Sequence, residues 1–196
     1  MVIERPGAGS TTRRTILSRS AAGIAAGAAF ALTGCGARAG RLSVHTIPAE
    51  ARSTDVEILG GLLDRKYKAI AAYTAGIPLL AGKVQTNAKQ ILSQEVTHSD
   101  ELYGLIRQAK GAGNRPQPSY PLGHPRTRAE VLELLHTLEQ EQIAAYLDAI
   151  PSVSPGSVRA VLASILANDA QHVVLLRRGL RVDPLPEPFP TGSDSA

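Results

Sequence analysis

The chain has 196 residues and a formal net charge of +4, from 21 Lys and Arg residues against 17 Asp and Glu residues. The first 34 residues hold four of the basic residues and one acidic residue, so the remainder carries only +1 and has no basic arm to indicate a nucleic-acid partner. A single Cys excludes a disulfide framework and a Cys-rich metal site. With 4% aromatic residues and abundant Ala and Leu, the composition favours helices over a β-sandwich or barrel.

The first 34 residues are typical of an export signal. Arg13 and Arg14 form a twin-arginine pair, and residues 21–33 are rich in Ala and Gly and too short to cross a membrane as a helix. The stretch ends in Leu-Thr-Gly-Cys35, which resembles the lipobox of bacterial lipoproteins. We therefore expect an extracytoplasmic protein held at the bacterial cell membrane by a lipid on Cys35, with residues 35–52 as a polar linker. The alternative is an ordinary cleaved signal with a chance Cys.

A helical domain is predicted for residues 53–181. Its first helix begins at the capping box Thr54–Glu57 and ends at Pro78. The second helix is predicted from about residue 84 to residue 110, with its end at Gly111-Ala-Gly113.

The second half of this domain repeats the pattern. A third helix begins at the capping box Thr127–Glu130, and a fourth begins at Ser154-Pro155 and ends near Gly179. The segment 182–196 is rich in Pro and is predicted to be disordered or draped over the domain.

The two halves are related in sequence. Lys66–Tyr73 aligns with Glu139–Tyr146 at an offset of 73 residues, and Ile91–His98 aligns with Ile165–His172 at an offset of 74. Polar residues repeat in register, which chance similarity between Ala-rich helices does not explain. The fold class predicted is all-α: an antiparallel four-helix bundle built from two repeated helical hairpins.

Ionisable residues interrupt the apolar stripe of every predicted helix. In the second and fourth helices a carboxylate and an imidazole stand three residues apart and share one face. The set is Lys66, Glu95, His98, Glu139, Asp169 and His172. Because an isolated buried charge is very costly, these side chains must pair with one another or hold cations.

This pattern resembles the ferritin-like di-iron carboxylate superfamily, in which two helices each give a Glu and two others each give Glu-x-x-His. More narrowly, the chain resembles an uncharacterised ferritin-like family of exported bacterial lipoproteins. The resemblance implies that the metal ligands are Glu95, His98, Glu139, Asp169 and His172, with Asp169 replacing a longer Glu.

Lys66 departs from the family pattern because it stands where the other Glu belongs. A protonated ammonium cannot bind a metal ion and repels one nearby. It can instead take the place of one metal ion and bond Glu139 or Asp169. Three ionised carboxylates and one protonated Lys leave a net negative charge, which one divalent ion balances.

Three interpretations remain open at this stage. One divalent transition metal binds, with iron or manganese favoured over zinc; or no metal binds and the core is ion-paired; or a di-metal oxidase works with Lys66 displaced. The corresponding functions are a metal-binding protein in iron handling or oxidant defence, and a metal-free scaffold that binds an envelope partner. The sequence decides neither enzymatic activity nor oligomeric state.

Other candidate residues are interpreted as surface or core residues without a part in the site. His45 and His124 lie in connectors and are expected at the surface, and His136 is expected to be half-exposed. Tyr73 and Tyr146 are interpreted as core residues rather than hydrogen-bonding groups at the site.

Overall fold

The structure is a computed structural model that describes residues 53–154 and 156–193. The predictions for Arg13, Arg14, Cys35 and His45, and the role of Pro155 at the start of the fourth helix, lie outside the described residues. The same holds for the linker before residue 53, for the side chain of Thr54 and for the last three residues of the chain.

Four helices make up the described domain. They are α1 Ser53–Gly76, α2 Gly82–Gln108, α3 Arg128–Ser152 and α4 Gly156–Leu180, with a short 3₁₀ helix Ile77–Leu79 after α1. Helix α1 packs along α2, α3 packs along α4, and the hairpins join through α1 against α3 and α2 against α4. The described residues contain no strand. The predicted bundle of two helical hairpins is confirmed, with helix ends within a few residues of those expected.

Two residues allow the turn between α1 and α2 to be short. Pro78 lacks a backbone N–H and lies within the 3₁₀ helix that follows α1. Gly82 begins α2 with a φ of +59°, a left-handed conformation that a residue with a Cβ rarely adopts. The chain therefore reverses within a few residues and α2 folds back along α1.

Helices α2 and α4 end in the same kind of turn. The left-handed residues that close these helices are Lys110, with a φ of 62°, and Arg181, with a φ of 65°, and not the nearby glycines. In both cases the next residue donates its N–H to the carbonyl five residues earlier, as in a Schellman motif. Gly111 serves close packing instead, since a Cβ there would lie 2.7 Å from atoms of Ile106 and Val56.

Capping bonds fix the starts of α3 and α4. Thr127 accepts from the backbone N–H of Glu130, whose carboxylate accepts from the N–H of Thr127, so the predicted capping box is present. The connection into α4 is held from a distance, because the buried Asp55 of α1 accepts from the backbone N–H of Ser154 at 3.1 Å.

Two apolar clusters fill the bundle and leave a layer between them. One cluster contains Leu63, Leu105 and Leu162, and the other contains Ile91, Leu135 and Leu176. Along every helix, the ionisable residues of the apolar stripe fall between the parts that contribute to these clusters. The fold therefore places all of them in one buried polar layer.

The described residues contain no helix long and apolar enough to cross a membrane. After α4, residues 181–193 form neither helix nor strand and lie along α3 and α4. Gly192 packs directly on the backbone of Ala144, where a Cβ would come within 2.5 Å of the Ala144 nitrogen.

Candidate metal centre

The buried polar layer draws a side chain from each helix. Its most deeply buried members, each at most 1% exposed, are Lys66 of α1, Glu95 of α2, Glu139 of α3, and Asp169 and His172 of α4. His98 of α2 borders them with a side chain that is 13% exposed. The structure thus brings together all six ionisable residues that the sequence places on the core stripes.

Lys66 forms two buried ion pairs. Its Nζ atom lies 2.8 Å from Glu95 Oε1 and 2.7 Å from Asp169 Oδ2. The ammonium therefore joins one carboxylate from each of the two x-x-His motifs. The sequence expectation of a bond to Asp169 agrees with the structure, whereas Glu139 accepts from a different donor.

That donor is Tyr73. Its hydroxyl donates to Glu139 Oε1 at 2.7 Å, with both residues fully buried. Burial and the adjacent carboxylate of Glu139 raise the pKa of Tyr73 well above its ordinary value, so the hydroxyl stays protonated and remains a donor. The interpretation of Tyr73 as a core residue without a hydrogen bond at the site was wrong, because its hydroxyl reaches across the α1–α3 interface.

His172 presents one ring nitrogen to three carboxylates. Its Nδ1 atom lies 3.4 Å from Glu139 Oε2, 3.6 Å from Glu95 Oε1 and 3.7 Å from Asp169 Oδ1. Its other nitrogen, Nε2, lies 2.9 Å from Gln94 Oε1. A carbonyl oxygen only accepts, so Nε2 carries a proton, and Nδ1 is left facing the carboxylates. A proton on Nδ1 shared with Glu139 Oε2, or a metal ion between Nδ1 and the carboxylate oxygens, satisfies this arrangement.

His98 approaches two of the carboxylate oxygens that His172 also faces. Its Nδ1 atom lies 3.4 Å from Asp169 Oδ1 and 3.5 Å from Glu95 Oε1, without the alignment of a hydrogen bond. Its ring stacks on that of His172 with centroids 6.2 Å apart. Burial alone would lower the pKa of His98, but the carboxylates of Asp169 and Glu95 outweigh burial and raise it.

The two Glu residues of the layer have opposite pKa shifts. Burial alone would raise the pKa of Glu95, but the charge of Lys66 and the neighbouring imidazoles lower it to about 2. Burial, together with the negative charge of Glu95, raises the pKa of Glu139 to about 7. Burial also opposes a charge on Lys66, yet Tyr146 and the carboxylates of Glu95 and Asp169 hold its pKa above the ordinary value. Lys66 therefore stays charged, while Glu139 exchanges its proton near neutrality.

Four residues of the layer form a potential metal-binding cluster. Glu95, Glu139, Asp169 and His172 each offer a ligand atom, and these atoms lie within 4.8 Å of one another. Ligands about 2.1 Å from a central ion are about 3.4 Å apart in a tetrahedral arrangement, close to the distances around His172 Nδ1. The Lys66 ammonium binds Glu95 and Asp169, two of the carboxylates that a second ion would need.

Sequence reasoning missed two polar supports of this layer. Gln94 fixes the ring of His172, and Gln142 donates from Nε2 to Glu139 Oε2 at 3.4 Å. Gln94 could have been found from the repeat, since Asn168 is its equivalent and both precede a buried carboxylate.

Two remaining sequence interpretations concern histidines away from the layer. His136 is only 8% exposed, so the expectation of a half-exposed ring was wrong; its position on α3 is covered by the packing of the bundle. His124 is exposed in the connector, as expected. Asp64 faces away from the layer and accepts from Asn114 Nδ2 at 2.7 Å.

An antiparallel four-helix bundle with a buried layer of carboxylates and imidazoles is the architecture of ferritin-like proteins. Residues 54–181 match the model of the ferritin-like domain, and the chain belongs to this family. The fold is similar to the crystal structure of a conserved hypothetical protein, rv2844, from Mycobacterium tuberculosis, with a TM-score of 0.62 and 15% sequence identity. The similarity covers 65% of this chain and 98% of that chain. No curated protein matches the sequence.

Proposed function

We propose that this protein binds one divalent transition metal ion in its polar layer, with iron or manganese favoured over zinc. The observation that carries the proposal is the position of His172 Nδ1, which lies 3.4–3.7 Å from carboxylate oxygens of Glu139, Glu95 and Asp169. A mixed set of imidazole and carboxylate donors suits Fe(II), Mn(II) or Zn(II). Metal-ligating imidazoles commonly donate their other N–H to an oxygen, as His172 does to Gln94.

Charge balance supports a single ion. Ionised Glu95, Glu139 and Asp169 together with charged Lys66 leave a net charge that one divalent cation neutralises when both imidazoles are neutral. Two divalent ions would leave an excess of positive charge in a buried layer, which is strongly unfavourable. Lys66 thus substitutes for the second cation of a di-metal centre.

The residues have separable roles in the proposed centre. His172, Glu139, Glu95 and Asp169 hold the ion, Tyr73 and Gln142 orient Glu139, and Gln94 orients His172. A bound iron or manganese ion supplies redox chemistry toward dioxygen or peroxide where a coordination position is open. A role in iron handling or oxidant defence follows from that chemistry.

The metal dependence of thermal stability tests this proposal. A ligand that binds only the folded state raises the unfolding temperature, so anaerobic Fe(II) or Mn(II) should stabilise the wild type and leave His172→Ala unaffected. His124→Ala is the matched control, since it removes an exposed imidazole from a connector and should respond as the wild type does. A wild type that does not respond to either metal would refute the proposal.

A metal-free scaffold is the second candidate function, and one observation favours it. With a pKa of about 7, Glu139 is able to carry the proton that His172 Nδ1 needs, and the metal-free layer then also approaches charge balance. In that case the polar layer maintains the bundle, and function lies in contacts with an envelope partner. An unresponsive wild type in the thermal experiment would support this candidate.

We also propose that the protein is exported and anchored to the membrane through Cys35. Support comes from the order of Arg13 and Arg14, the Ala- and Gly-rich stretch and the terminal Cys35 in the sequence. In bacterial cells, Cys35→Ser should move the protein from the membrane fraction to the soluble fraction. Arg13→Lys combined with Arg14→Lys should keep it inside the cell. Unchanged fractionation of both variants would contradict the proposal.

A further inference from the structure

His98 is the predicted ligand that lies outside the group of four donors whose ligand atoms are all within 4.8 Å of one another. Its side chain is 13% exposed, whereas those of Glu95, Asp169 and His172 are at most 1% exposed. Its Nδ1 atom nevertheless lies within 3.5 Å of both Glu95 and Asp169. His98 therefore connects the surface of the bundle with the buried carboxylates.

His98 lies in the seam between α2 and α4. One turn earlier on α2, Gln94 reaches His172 of α4 at 2.9 Å, which shows that this flank of α2 faces α4. Glu101 stands three residues after His98 and shares the flank. Helices α2 and α4 contact each other less extensively than the two helices of either hairpin. Helices α2 and α4 also approach each other at fewer positions than α1 and α3 do, so this seam has the fewest close backbone approaches of the four boundaries around the layer.

Unpaired acceptors follow the seam. Among the described residues, the buried atoms without a hydrogen-bond partner include His98 Nδ1, Glu101 Oε1 and Asn168 Oδ1. Asn168 belongs to α4 and is the repeat equivalent of Gln94, which lies in the same seam. Buried polar atoms are normally paired, so each of these three atoms requires an explanation. The oxygen atoms of Glu101 and Asn168 have lone pairs able to replace water molecules around a cation, and so has His98 Nδ1 once that nitrogen has lost its proton.

We propose that divalent metal ions reach the buried centre through the α2–α4 seam, and that His98 is the ligand that receives each ion from solvent. Glu101 and Asn168 supply oxygen atoms along the route, and Asp169 and Glu95 accept the ion from His98. Each step exchanges one ligand for another, so the ion is never stripped of all its donors at once. This inference rests on the proposed metal-binding function and assigns His98 to ion transfer, not to the resting coordination shell.

Stopped-flow binding of Co(II) to the purified full chain tests the route. Co(II) accepts the same nitrogen and oxygen donors as Fe(II), and its visible absorption reports occupancy of the centre directly. His98→Phe keeps the bulk of the ring and removes the lone pair, and His98→Gln restores an acceptor. Glu141→Gln is the matched control, because Glu141 pairs with Lys68 at 3.4 Å across the opposite, α1–α3 seam.

We expect His98→Phe to bind one Co(II) at equilibrium but to load about tenfold more slowly than the wild type. His98→Gln and Glu101→Gln should give intermediate rates, and Glu141→Gln should load at the wild-type rate. Equal loading rates in the wild type and His98→Phe would overturn the inference. Loss of equilibrium binding in both folded His98 variants would also overturn it, by showing that His98 is a resident ligand. Failure of the wild type to bind Co(II) would instead count against the proposed function.

Discussion

Tyr73 and Tyr146 occupy equivalent positions in the two hairpins, but only the Tyr73 hydroxyl has a hydrogen-bond acceptor among the described residues. Tyr73 donates to Glu139 at 2.7 Å, whereas the buried Tyr146 hydroxyl is unpaired. Lys66 and Glu139 are equivalent residues of the two repeats. The Nζ atom of Lys66 lies 5.5 Å from the centre of the Tyr146 ring. The Tyr146 hydroxyl lacks an acceptor because the residue equivalent to Glu139 in the other hairpin is Lys66, which carries an ammonium and not a carboxylate.

Lys66→Glu should therefore raise the metal content of the protein from about one to about two ions per chain. The substitution adds the missing carboxylate, removes the competing cation and gives the Tyr146 hydroxyl an acceptor. Metal has to be present during folding, since four buried carboxylates without counter-charge repel one another. Elemental analysis of the folded variant measures the change.

Lys66→Met is the control for this experiment, because it removes the ammonium without adding a ligand. A buried pair that loses one partner costs about 3–5 kcal/mol, so the metal-free variant should be strongly destabilised in urea unfolding. If Lys66→Glu folds and still holds a single ion, Lys66 is not what limits the centre.

The two tyrosines provide a matched pair of stability variants. Tyr73→Phe removes the donor to Glu139 and should lower the free energy of unfolding by about 1.5–3 kcal/mol at a pH where Glu139 is ionised. Tyr146→Phe removes a hydroxyl without a partner and should be neutral or stabilising. Urea unfolding of the metal-free proteins gives both values. Equal losses in the two variants would show that the Tyr73 bond contributes nothing specific.

Glu139 should make the metal-free protein less stable as the pH rises toward neutrality. Its pKa is 4.5 in the unfolded reference and about 7 in the fold, so the folded state holds the additional proton between these values. The shift corresponds to a loss on the order of 3 kcal/mol between about pH 4.5 and pH 7. Glu95 acts in the opposite sense: its pKa of about 2 gives stability above about pH 4.5 that is lost on acidification.

Glu139→Gln should remove much of the decline toward neutral pH. A residual slope is expected from His98, whose raised pKa also gives stability that is lost as the pH rises through its folded value. Glu133→Gln, which neutralises an exposed carboxylate on the same helix, should leave the profile unchanged. Unfolding free energies measured from pH 4 to pH 8 decide between these outcomes, and identical profiles for both variants would contradict the assignment to Glu139.

Gln94 should influence metal affinity without binding the ion. Its Oε1 atom accepts from His172 Nε2 at 2.9 Å and holds the ring so that Nδ1 faces the carboxylates. Gln94→Met retains the length and removes the acceptor, and loss of such a support lowers affinity by about 10–100-fold. Calorimetric titration with Mn(II) measures the change. An unaltered affinity would show that packing alone orients His172.

The fold was predictable because two independent features of the sequence agreed. Helical spacing of apolar residues gave four elements, and the repeated hairpin gave their pairing. The register of Glu95 and His98 against Asp169 and His172 then placed one layer of ionisable groups inside the bundle. These inferences needed only the helical period and the cost of burying charge.

Hydrogen-bond partners across the bundle could not be obtained in this way. Which residues bond across the bundle depends on the rotation and translation of one helix against another. Examples are the bonds from Tyr73 to Glu139 and from Lys66 to Glu95. The helical period gives the face on which a side chain lies, but not which atom of a neighbouring helix it reaches. For the same reason His136 proved more buried than its position beside the stripe suggested.

The most direct test of the central claim is the metal content of the wild-type protein, purified without chelators and reloaded anaerobically with Fe(II) or Mn(II). A centre in which Lys66 takes the place of the second ion predicts about one bound ion per chain and loss of that ion in His172→Ala. Two ions per chain would show that Lys66 moves aside, and no bound ion would leave the layer as a metal-free ion-paired core. Either result would contradict the single-ion centre.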